Sequence, residues 1–106
     1  MPRVKDDAAT HNYKIDIGER LRALREHLGM TQAVFAAQIA VNQEIYHKWE
    51  SGKLFPNPVK MLALCLRYNV DFNYLYLGTF RGLHSDLEAA LRAQLGAKKP
   101  SKNLSD

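Results

Sequence analysis

Apolar residues recur at helical spacing along most of this chain, and polar residues or glycines separate one stretch from the next. Ile17, Leu21, Leu24 and Leu28 follow steps of four, three and four, the stripe of an amphipathic helix over about Ile17 to Leu28. Asp16, with Glu19 three residues on, predicts a capping box at its start, and Gly29 predicts its stop. Arg20, Arg22 and Arg25 flank the stripe, and Arg22 with Glu26 makes an i,i+4 pair.

The stretch TQAVFAAQIAVNQEIYHKWESG, residues 31–52, reads as two short helices joined by a tight turn. Thr31 caps the first, which turns Phe35, Ala36 and Ile39 inward; Asn42 caps the second, which turns Tyr46 and Trp49 inward. Gln43, Glu44, His47 and Lys48 then face solvent or a partner, and Gly52 supplies the stop. Helices this short bury too little to stand alone, so the pair must be held by its neighbours.

Asn57 followed by Pro58 predicts cap and first helical residue of a further helix to Tyr68, with Leu62, Cys65 and Leu66 on its core side and Asn69 at its end. Asp71 caps a short helix, DFNYLYL, stopped by Gly78, with Phe72 and Leu75 inward and Tyr74, Tyr76 and Leu77 without an evident partner. Ser85 and Glu88 form another capping box, and Leu83, Leu87, Leu91 and Leu95 repeat at intervals of four before Gly96. The domain reading is a flexible arm over 1–14, a helical domain over 15–79, an amphipathic helix over 80–96 and a disordered basic tail over 97–106. Within the arm, Arg3, Lys5 and Lys14 are candidates to reach phosphates.

Composition changes this picture little: 106 residues, 46% hydrophobic, are enough for one modest core. A formal charge of +4 favours a polyanionic partner, yet acidic and basic residues balance across 15–53, so any phosphate contacts fall to a few placed cations and neutral donors. Cys65 is the one cysteine and reads as a small core residue. His11, His27, His47 and His84 have no metal-ligand spacing and no glycine-rich phosphate loop follows a strand, so neither catalysis nor a cofactor is expected. The polar N-terminus carries no secretory signal pattern and the apolar run Met61 to Leu66 is too short to span a bilayer, so an intracellular, cytoplasmic protein is expected.

From Ile17 to Gly78 the chain resembles the lambda-repressor-like, or xenobiotic-response-element type, helix-turn-helix regulators of bacteria and phages. The resemblance rests on IGERLRALREHLGMTQ, on Ala36 inside the first motif helix, on Trp49-Glu50-Ser51-Gly52 closing the second, and on VDFNYLYLG. It implies an all-α fold: a compact five-helix bundle, here followed by the C-terminal amphipathic helix. It also implies that the helix from Asn42 to Ser51 enters the DNA major groove, with Gln43, Glu44 and His47 as base readers.

By the same resemblance Gln32 donates to a phosphate and braces the reading helix, and Arg25 pairs with Glu50 as a structural tie; Asn42, Lys48 and Lys53, at or just beyond that helix, are the candidates to position it on the backbone. Two positions depart from the family. Ala40 stands at a turn that usually holds glycine, at a cost of about 1 kcal/mol if the left-handed conformation is kept. Tyr46 replaces a branched aliphatic residue. The functional expectation is a dimeric repressor that reads a palindromic operator in double-stranded DNA, with Tyr74, Tyr76, Leu87 and Leu91 as candidate dimer contacts, the other reading of the Leu83 to Leu95 helix being that it packs on its own domain. The alternative is an antitoxin, or another module of the same fold, that binds a toxin or other protein partner.

Overall fold

The computed structural model describes residues 8–97, and these are all-helical, without a strand. Its elements are α1 (Ala8–His27), α2 (Gln32–Gln38), α3 (Gln43–Glu50), α4 (Pro58–Tyr68), a π-helical turn (Asn73–Leu77) and α5 (Ser85–Ala97). Residues 1–7 and 98–106, with Arg3, Lys5 and nearly all of the expected basic tail, lie outside the described residues.

The expected start of the first helix is corrected. Asp16 lies in the middle of α1, not at its cap, and residues 8–14 of the expected arm are helical. AATHNYK contains neither glycine nor proline, and Ile15 packs against the backbone of Gly52, so tertiary contact carries the helix back past the apparent cap. An Asp and a Glu three residues apart also fit the exposed face of a continuing helix, which is why the local motif misleads.

Helix α1 is the common support. Ile17, Leu21 and Leu24 are buried in a core shared with Phe35, Ile39, Tyr46, Trp49, Met61, Leu64, Tyr74, Leu75 and Leu91. At Gly18 the backbone of α1 meets the end of α3 so closely that a Cβ would overlap the carbonyl oxygens of Trp49 and Glu50.

Helix α4 is present over the predicted residues, capped by Asn57 and ended by Asn69 in the left-handed conformation at φ 61°. Its phase is corrected: Met61, Leu64 and Cys65 are buried, whereas Leu62 and Leu66 are 51% and 76% exposed. Apolar residues at 61, 62, 64, 65 and 66 allow two stripes, and Tyr68, stacked on Phe35 at 5.5 Å between centroids, extends the one that wins. Burial pushes the Cys65 thiol up to about 11, in keeping with an inert core cysteine.

In the π-helical turn Asp71 accepts from the Tyr74 amide at 2.9 Å, and Gly78 ends the segment at φ 78°. Leu75 is buried as expected, but Phe72 is 39% exposed, edge-on to Tyr76, and Tyr74 takes the inward place. The Tyr74 hydroxyl donates to the Arg20 carbonyl at 2.8 Å and Arg20 Nη1 donates back to the Leu75 carbonyl at 3.2 Å, a reciprocal clamp on α1.

Helix α5 packs on α1 with Leu91 buried and Leu87 and Leu95 half-buried, and Leu83, just ahead of the helix, joins the same core. Its N-cap is His84 in place of the expected Ser85: ring Nδ1 accepts from the Asp86 amide at 3.2 Å. Tyr74 and Leu91, offered above as dimer contacts, are fully buried inside the protomer and are unavailable to a partner; Leu87 and Tyr76 are half-buried. Among the described residues no helix is long and apolar enough to cross a membrane.

Candidate nucleic-acid interface

The two helices of residues 31–52 form as their caps predict. Thr31 Oγ1 accepts from the Val34 amide at 3.2 Å, and Asn42 Oδ1 accepts from the amides of Glu44 and Ile45 at 2.7 and 3.2 Å. Asn42 therefore spends its oxygen on the helix it opens.

The turn between them is a Schellman motif: Val41 N–H bonds to the Ala36 carbonyl at 2.9 Å and Ala40 N–H to that of Ala37 at 3.2 Å. Ala40 stands at the left-handed position, φ 55°, as the family pattern requires of the glycine it replaces. Gly29 and Gly52 occupy the equivalent positions after α1 and α3: their amides bond to the Glu26 and Trp49 carbonyls, and those of Met30 and Lys53, which follow them, to the Arg25 and Lys48 carbonyls.

The inner side of α3 is fixed by a charge cluster centred on Glu50, whose side chain is 1% exposed. Its carboxylate accepts from Arg25 Nε at 2.6 Å and Nη2 at 3.1 Å, from Gln32 Nε2 at 2.9 Å and from the Tyr46 hydroxyl at 2.5 Å. Arg22 Nε stands 3.6 Å away, and Arg25 Nη1 also donates to the Met30 carbonyl at 2.9 Å. Burial alone would raise the Glu50 carboxyl, but the bonds from Arg25, Tyr46 and Gln32 hold it below the usual carboxylate range. Burial, the Glu50 charge and the bond to it push the Tyr46 phenol up.

Thus Arg25 and Glu50 form the tie that the resemblance implies, and Tyr46 belongs to it as well. The phenol stays inside, edge-on to Phe35 and Trp49, and its hydroxyl serves as a neutral donor to Glu50. Gln32, expected at a phosphate, turns its amide nitrogen to Glu50 and its oxygen toward His47 Nδ1 at 3.3 Å. In the protein alone it braces α3.

The outer side of α3 gathers Gln43, Glu44 and His47, all exposed, with Lys48 half-buried beside them and Lys53 exposed just past Gly52. Sequence reasoning left unassigned an apolar groove nearby, about 520 Å³, lined by Tyr13, Phe55, Phe72, Tyr76 and Leu77 among others. Phe55 stacks on Tyr76 at 5.3 Å, and the Tyr76 hydroxyl donates to the Pro56 carbonyl at 3.1 Å. The unplaced Tyr76 and Leu77 were the signal for it.

Two short helices joined by a left-handed turn, the second presenting a polar face from a rigid support, define a helix-turn-helix protein. The family model described as a helix-turn-helix domain matches residues 18–79, and the chain belongs to that family. It is 31% identical over 64 residues to the HTH-type transcriptional activator BcrR of Enterococcus faecalis, a match covering 60% of this chain and 31% of that protein. No solved structure matches the chain.

Proposed function

We propose that the chain is a sequence-specific regulator of transcription that binds double-stranded DNA as a homodimer, with α3 in the major groove of each half of a palindromic operator. The carrying observation is the division of α3: Tyr46, Trp49 and Glu50 are locked inward, and Gln43, Glu44 and His47 stand out together. At 1.5 Å per residue α3 is about 12 Å long, comparable to the width of the groove.

Gln43 offers a carboxamide suited to adenine, and Glu44 accepts from a cytosine amino group and repels misplaced phosphates. Lys48 and Lys53 supply phosphate contact, while Asn42 and Gln32 act by positioning α3. Repression is the proposed mode, because a dimer lying across a promoter excludes polymerase without a further contact. The proposed place of action is the cytoplasm, at the nucleoid.

The dimer contact is assigned to the groove of Phe55, Tyr76 and Leu77, not to the buried Tyr74 and Leu91. Leu77 is 69% and Phe55 50% exposed, so the groove offers apolar surface for a two-fold contact between copies.

Selection of bound duplexes from a random pool tests the proposal. The expected product is an inverted repeat with half-sites about 34 to 36 Å apart. Equal retention of all sequences would refute it, and a reporter raised by the bound site would replace repression with activation, the role in the Enterococcus relative's name.

A further inference from the structure

We infer that His47 presents Nε2 as a lone-pair acceptor to the major groove and so bonds the exocyclic amino group of adenine or cytosine there, not the acceptor atoms of guanine or thymine. The base preference rests on the DNA-reading function proposed above; the tautomer does not.

The proton on His47 is placed by a relay that begins at Glu50. An ionised carboxylate only accepts, so the Gln32 atom 2.9 Å from Glu50 Oε1 is the amide nitrogen; the flipped amide would set two acceptors against each other. Gln32 Oε1 is thereby turned to His47 Nδ1 at 3.3 Å. An amide oxygen also only accepts, so Nδ1 carries the hydrogen. A neutral imidazole has one N–H, which leaves Nε2 with its lone pair. This is the reverse of the tautomer that predominates in free histidine.

The two ring nitrogens point in well-separated directions, so with Nδ1 turned toward α2, Nε2 is turned away from it. His47 is exposed and lies one turn beyond Gln43 and Glu44 on the same face of α3. A lone pair there has no bond to offer a phosphate oxygen, guanine O6 and N7 or thymine O4, which are all acceptors. It pairs with adenine N6 or cytosine N4. Glu44, another pure acceptor, has the same requirement, so the two side chains together demand amino groups from the operator.

The tautomer is read in the free protein. Long-range proton–nitrogen spectra of the full chain at pH 8, above the ordinary histidine range, should show His47 Nδ1 as the protonated nitrogen and Nε2 as the lone-pair nitrogen, with His47→Phe giving the assignment. The opposite pattern overturns the inference. Gln32→Leu should return the ring to the Nε2–H form, and a ring unchanged in that variant overturns the relay.

Binding to duplexes varied one base pair at a time supplies the second arm. At the base pair whose preference is erased by His47→Phe, removing the exocyclic amino group, with purine in place of adenine or 2-pyrimidinone in place of cytosine, should weaken the parent chain about tenfold and leave the His47→Phe chain unaffected. Unchanged binding to the duplex that lacks the amino group, or a loss instead on replacing the purine N7 by carbon, overturns the selection rule. Uniform binding to every duplex, with the Nδ1–H tautomer intact, overturns the DNA-reading function and the base preference with it, and leaves the tautomer standing.

Discussion

The Tyr46 hydroxyl donates to the Glu50 carboxylate one turn further along α3, at 2.5 Å, in a pocket closed to solvent. This bond gives an aromatic side chain on the inner face a polar task and adds a neutral donor to the two cationic ones from Arg25. Tyr46→Phe keeps the ring between Phe35 and Trp49 but removes the donor, and should cost about 1.5 to 3 kcal/mol in urea denaturation. A loss below a few tenths would mean that water replaces the phenol at Glu50.

The cluster makes stability depend on pH at both ends. Glu50 is held below its unfolded value near 4.3, so its contribution is present above that pH and is lost as pH falls through the folded value. Tyr46 is raised above its unfolded value near 10, so its contribution is complete below pH 10 and declines as pH rises beyond it. Thermal melts from pH 2 to 11 should show both limbs. Glu50→Gln should lower stability at pH 7 by about 3 kcal/mol, because Arg25 loses its buried counter-charge and keeps only the more distant Glu26, 3.9 Å away, and should flatten the acid limb.

Ala40 is the one residue with a side chain among the three Schellman turns at Gly29, Ala40 and Gly52. Ala40→Gly relieves the left-handed conformation and should stabilise the fold by roughly 0.5 to 1 kcal/mol after the added chain entropy of glycine is subtracted. A lower melting temperature for the variant would contradict the strain assigned to this turn.

Base reading and backbone seating should separate by mutation. Gln43→Ala should reduce discrimination between operator and random DNA by about 1 to 3 kcal/mol, whereas Lys53→Ala should weaken both and reduce the salt slope by about 1. Filter binding across a salt series distinguishes the two, and identical profiles would remove Gln43 from the readers.

For the dimer, Leu77→Glu should shift sedimentation toward monomer with the melting curve nearly unchanged. Leu91→Glu, by contrast, places a charge in the contact between α1 and α5 and should unfold the chain. Intact dimers of the Leu77 variant would remove the groove from the interface.

The helix-turn-helix pair was legible because caps, apolar spacing and stop signals at Thr31, Asn42 and Gly52 all agree. The phase of α4 was not, since Met61, Leu62, Leu64, Cys65 and Leu66 satisfy two stripes and only the packing partners choose. The start of α1 was hidden for a related reason: Ile15 is held by Gly52, a contact across the chain that no local motif encodes. Within the site, the outward residues followed from periodicity, whereas the turning of Gln32 and the Tyr46 hydroxyl toward Glu50 depends on a buried charge seen only in three dimensions. Gly18 offered a cue of its own, a glycine inside a strong helical pattern, which signals close approach of another backbone.

That approach limits how the protein can change its target. With bare backbone of α1 against the last carbonyls of α3, no side chain there can be enlarged or trimmed to tilt the reading helix by degrees. A new operator must then be reached by exchanging the outward side chains on a fixed frame, so divergence among close relatives should collect at 43, 44 and 47 while the pitch of the helix stays constant.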